Sequence, residues 1–100
     1  MASVGEVRAH LSSAVMRAGE GIGALEQARE YVGGAIEAFQ DAGQSASAAF
    51  EGSGNDDAAA AMTLYIEAES HVRAMMGKLE EALQAALAAN EHCETYMGII

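Results

Sequence analysis

The chain has 100 residues and a formal net charge of −10, with five Lys and Arg against fifteen Asp and Glu. No two basic residues are adjacent, which argues against a nucleic-acid binder, because a phosphate backbone needs clustered cations. An anionic membrane surface would repel such a chain as well.

The apolar half of the composition is largely alanine, proline is absent and aromatic residues are few. Alanine with many Glu, Gln and Leu suits long helices, and no run of alternating β-branched residues marks a strand. The expected fold is therefore all-α. The acids are spread over both halves, where they keep an apolar-rich helix pair soluble.

Ser3-Val4-Gly5-Glu6 has the spacing of a capping box and places the start of the first helix at about residue 4. From there Val4, Leu11, Ala18, Leu25, Val32, Phe39 and Ala46 recur at a seven-residue step. A companion row four residues on reads Arg8, Val15, Ile22, Arg29, Ile36, Gly43 and Phe50. Spacings of three and four sustained over six heptads predict a coiled-coil-like seam. Arg29 interrupts it, and its stem is expected to lie on the seam with the charged head turned outward toward Glu80. A third row, Val7, Ala14, Gly21, Ala28, Ala35, Ala42 and Ala49, is small at nearly every position and reads as a second contact face.

Gly19, Gly21, Gly23, Gly33 and Gly34 weaken the helix interior by roughly 1 kcal/mol each relative to alanine. They predict either a tolerated soft helix or a bend at 19–23 or 33–34. Gly19-Glu-Gly-Ile-Gly23 is not a phosphate loop, since it follows no strand and lacks the Gly-Lys-Ser/Thr ending.

Both periodic patterns stop together at Gly52-Ser53-Gly54-Asn55. Two glycines supply left-handed backbone at low cost, and Ser53 or Asn55 can cap the helix that follows. These four residues are the expected bend of a helical hairpin. The whole chain, 1–100, then forms one hairpin, with helix 1 at about 4–51 and helix 2 at about 56–97. Each helix would span roughly 60–70 Å at 1.5 Å per residue.

Asp56 and Asp57 fall in the first turn of helix 2, where acid suits the helix dipole. Its expected seam is Ala58, Tyr65, Val72, Leu79, Ala86, Cys93 and Ile100, with Ala61, Ala68, Met75, Ala82, Ala89 and Tyr96 as the second row. Met62, Met76, Leu83 and Met97 flank it, and Gly98 is the expected stop. Folding back sets Phe50 near Ala58, Ile36 near Val72 and Ile22 near Ala86. The seam and the small flank together are wider than one hairpin can cover. The expected contact residues are Val7, Leu11, Val15, Ile22, Leu25, Val32, Ile36, Phe39 and Phe50 on helix 1. On helix 2 they are Tyr65, Val72, Met75, Met76, Leu79, Leu83 and Tyr96.

Chemistry is thin. Val7, Ala68 and Ala89 stand three residues before His10, His71 and His92, so the Glu-x-x-His motif of di-iron bundles is absent. Glu67 and His71 could touch one ion, but two ligands do not make a site. Residues 91–94, Glu-His-Cys-Glu, diverge by about 100° per step around a helix and cannot converge on one metal. No serine lies in a nucleophile elbow. No cofactor and no enzymatic activity are expected. Cys93, the single cysteine, reads as a small core residue. No stretch has the roughly 20 apolar residues of a membrane span, and no basic-then-apolar leader is read at the N-terminus. The expected location is the cytoplasm, or outside the cell by a route that needs no cleavable peptide.

An acidic chain of this length with two long helices and the bend Gly52-Ser53-Gly54 resembles the WXG family of small type VII secretion proteins. That resemblance implies a hairpin that pairs with itself or a sibling hairpin into a four-helix bundle and meets a dedicated export machine. The family bend carries Trp-x-Gly, of which Gly54 alone can be matched here. Its export signal, Tyr-x-x-x-Asp/Glu, normally follows helix 2, whereas here the spacing occurs at Tyr65-Ile-Glu-Ala-Glu69 near its start. Val4-Gly-Glu-Val-Arg8 and the Gly-Ser centre are also similar to short actinobacterial hairpin proteins, a likeness that brings no function with it. The other functional class left open is a cytoplasmic adaptor or structural coiled coil that binds a larger partner.

Overall fold

The computed structural model describes residues 2–100 and contains two helices, α1 (Val4–Phe50, 47 residues) and α2 (Asp56–Ile99, 44 residues). No strand occurs among the described residues, so the fold is an all-α helical hairpin. Neither helix is long and apolar enough to cross a membrane.

α1 starts where the capping box placed it. Ser3 Oγ accepts a hydrogen bond from the Glu6 amide at 3.1 Å, and the Ser3 carbonyl takes the Val7 amide at 2.9 Å. The helix is unbroken from Val4 to Phe50, including at 19–23 and 33–34. It ends one residue before the expected limit, with Glu51 already in the turn.

The bend is built by three residues in different ways. Gly52 has φ +74°, a left-handed conformation that costs a side-chain-bearing residue roughly 1 kcal/mol. Gly54 does not adopt positive φ, so one glycine rather than two carries the reversal. The Ser53 amide donates to the Phe50 carbonyl at 2.9 Å, and Ser53 Oγ accepts from the Asn55 amide at 3.2 Å. Asn55 is the cap: its Oδ1 accepts from Asp57 at 2.8 Å and Ala58 at 3.3 Å, satisfying two amides that the helix leaves free. Asp56 and Asp57 complete the acidic first turn. At the other end α2 runs through Gly98 to Ile99, because glycine stops a helix only where it turns left-handed and Gly98 does not.

The chain divides into two compact units, each an antiparallel pair of helical segments. One joins the described part of Met1–Ala28 to Leu79–Ile100, and the other is Arg29–Lys78 with the bend. In the first unit Ser12 Oγ reaches Met97 Sδ at 3.7 Å and Asn90 Nδ2 reaches the Val15 carbonyl at 3.5 Å. In the second, a Cβ built on Gly33 would stand 3.8 Å from the Met76 methyl. These pairings lie within three positions of the register read from the sequence.

Candidate interaction surface

From Leu11 onward the seam of α1 follows both expected rows, whereas Val4, the first member expected in it, is 55% exposed. Leu11, Val15, Ala18, Ile22 and Leu25 are half-buried in the first unit, as are Val32, Ile36, Phe39, Gly43, Ala46 and Phe50 in the second. Arg8 and Arg29, which interrupt the companion row, are exposed residues. A charged head kept in water needs no apolar cover.

α2 keeps the expected second row at Ala61 and Ala68, both half-buried, and departs from it beyond them. The first row is right throughout, from Ala58 (6% exposed) through Tyr65, Val72, Leu79, Ala86 and Cys93 to Ile100. Beside it, however, lie Met62, Glu69, Met76, Leu83, Asn90 and Met97, spaced by seven and turned inward. Met75, Ala82, Ala89 and Tyr96, placed in the seam by sequence, are exposed, with Met75 at 54% and Tyr96 at 49%. The inner row offers four long apolar side chains, whereas the expected row offers mainly alanines. Burial favours the larger area. Two polar members obscure the pattern in the sequence. Glu69 escapes toward Arg73, whose Nε it meets at 2.8 Å, and Asn90 spends its amide on the Val15 carbonyl. Val7 is half-buried, so the contact residues divide into half-buried or buried positions and two exposed ones, Met75 and Tyr96.

The interior is slight. Among the described residues only Ala58 and Leu83 are buried apolar side chains, and no residue of α1 is fully buried. No buried polar side-chain atom lacks a partner among the described residues.

The rows outside the seam fall into two sides. In an antiparallel pair one helix winds clockwise and the other counter-clockwise along a common line of sight, so like-placed flanking rows emerge on the same side. In the first unit one side carries Val7, Ala14, Gly21 and Ala28 with Ala82, Ala89 and Tyr96, none of them an acid or a base. Its other side carries Glu26, Glu80, Leu87 and Glu94. In the second unit the corresponding rows hold Ala35, Ala42, Ala61 and Ala68, half-buried like the seam itself, and the exposed Ala49 and Met75. The opposite side holds Gln40, Ser47, Ile66 and Arg73. A depression of about 370 Å³, lined by Phe39, Gln40, Gly43, Gln44, Ser47, Met62, Tyr65, Ile66 and Glu69, lies on that second side. Gly43 and Tyr65 both line it, and it is open to solvent.

His10, His71 and His92 are all exposed, and Cys93 is a half-buried free thiol. Among the described residues no three of His, Cys, Asp and Glu come together as a metal-binding group. What the molecule presents is surface: apolar side chains such as Tyr31, Leu64, Ile66 and Ile99 stand in water on both helices.

Set against known proteins, the chain matches no family model, no curated protein and no solved structure.

Proposed function

We propose that the protein is a non-enzymatic pairing module, a helical hairpin that completes its core with another helical hairpin, of the WXG-like kind associated with type VII secretion. The observation that carries the pairing is the near-absence of an interior, with Ala58 and Leu83 the only buried apolar side chains among the described residues. Ordering a residue costs about 1–2 kcal/mol of backbone entropy. Folded domains offset that cost by burying side chains, and here most of the seam is only half-covered. A partner that closes over the seam's flanks supplies the missing burial. The link to secretion is carried by the resemblance of a glycine-hinged acidic hairpin to the family, with Gly54 as the one matching bend residue.

Melting of the purified chain, followed by helical circular dichroism over a hundredfold range of concentration, tests the pairing. A midpoint that climbs with concentration, or a chain that is poorly helical alone, is expected, since association stabilises only the folded form. A sharp transition independent of concentration refutes it. For secretion the measurement is the protein in culture filtrate of its native host, present with the export machinery intact and lost without it. Retention in both strains, with capture of one larger protein, turns the reading to a cytoplasmic adaptor.

A further inference from the structure

We propose that the trough between α1 and α2 in the bend half is a docking site for a basic amphipathic helix of another protein, an inference that stands apart from the pairing reading. The depression lined by Gly43 and Tyr65 continues into a second one of about 590 Å³, which shares Gln44, Ser47 and Met62 with it. Both lie within the unit Arg29–Lys78. Together they follow α1 from Phe39 to Glu51, about 18 Å at 1.5 Å per residue. That length takes about three turns of a helix laid alongside. The floor is apolar: Phe39, Phe50, Met62 and Tyr65 are half-buried, and Ile66 is exposed at its edge. An apolar floor open to water along a helix pair suits the apolar face of a third helix.

Charge decides which helix. Between Arg29 and Arg73 stand eight of the fifteen acids and none of the five bases, so this stretch carries −8 of the net −10. The residues lining the trough include Glu51 and Glu69 and no base. Glu69 is already met by Arg73 at 2.8 Å. Glu37 and Glu51 have no Lys or Arg within four residues of them, and with Gln44 they share one face of α1 at seven-residue steps. They therefore put an acid near each end of the trough's α1 wall. An acidic helix laid there would meet like charge, and a second copy of this stretch would bring −8 against −8. Lys or Arg beside an apolar face would instead meet Glu37 and Glu51, a complementarity that sets specificity and speeds association. A bare metal ion does not fit the trough, since no three His, Cys, Asp and Glu come together among the described residues.

The probe is a labelled synthetic helix of about fourteen residues with one leucine face and one lysine face, titrated into the full-length chain and read by fluorescence anisotropy. Saturable binding with one peptide per chain is expected, weakened at least about tenfold when salt rises from about 0.02 M to about 0.5 M. Glu37→Gln combined with Glu51→Gln should weaken it at least about fivefold. Glu80→Gln combined with Glu94→Gln, which removes the same charge from the other unit, should change it less than about twofold. Gly43→Leu should also cost at least about fivefold: a Cβ there meets nothing within 4 Å, so the variant keeps its helix and fills the trough. A peptide with Glu in place of Lys should not bind. Equal losses from the two charge pairs, binding untouched by Gly43→Leu, binding of the acidic peptide, or no binding of the basic one at about 100 μM would each overturn the proposal.

Discussion

Leu83 and Leu87 lie one helical turn apart on α2, and the seam assignment separates them sharply. Leu83 is 5% exposed and sits in the inner row; Leu87 is 53% exposed on the outer side. Truncating a buried leucine to alanine costs about 2.7–5 kcal/mol in a closed core, the upper part coming from the cavity left behind. Around Leu83 the neighbours are only half-buried, so a void there opens to water and the cavity contribution shrinks. Leu83→Ala should therefore cost about 2–3 kcal/mol, close to the transfer value of the side chain. For a chain of this length that corresponds to a fall in melting midpoint of roughly 10–20 °C. Leu87→Ala should stay within about 0.5 kcal/mol, as exposed substitutions do. Both variants and the parent are to be melted at one protein concentration, since association shifts the midpoint by mass action. Equal losses at the two positions, or a larger loss at Leu87, would show that the helix is rotated from the orientation described and would undo the assignment of sides.

The bend separates its two glycines. Gly52→Ala should destabilise by about 1 kcal/mol through its left-handed backbone, while Gly54→Ala should be neutral or slightly stabilising, read from urea midpoints. Asn55→Ala removes the acceptor for two amides of α2 and should cost about 1 kcal/mol, with Asn55→Asp close to the parent. Gly23→Ala and Gly34→Ala place a methyl where nothing lies within 4 Å and should each raise stability by up to about 1 kcal/mol in the same titration. A loss at either glycine would indicate that its helix face is covered.

Periodicity and caps made the hairpin legible because both are local. The seven-residue row from Leu11 to Ala46 and the cap at Ser3 depend on residues within a turn or two of each other. The same holds for the bend at 52–55, although sequence could not tell which glycine turns left-handed, since that is settled by the path the chain takes between its two caps. The second row of α2 was not legible, for a reason that lies in individual side chains. Glu69 and Asn90 break the apolar pattern of the true inner row, whereas Ala61, Ala68, Met75, Ala82 and Ala89 run unbroken, and only the first two of these are half-buried. A pattern read by polarity alone prefers the unbroken row.

Packing prefers the row with more area, provided that each polar intruder finds somewhere to go. Arg73 on the next turn answers for Glu69 and the Val15 carbonyl for Asn90. The consequence reaches past secondary structure. With the methionine row inside, Met75, Ala82, Ala89 and Tyr96, which sequence would have spent on the hairpin's own seam, are left exposed. A substitution that restores apolar continuity to the inner row, Asn90→Leu, should stabilise the hairpin and raise its urea midpoint; a loss would show that the amide on the Val15 carbonyl outweighs the added apolar area.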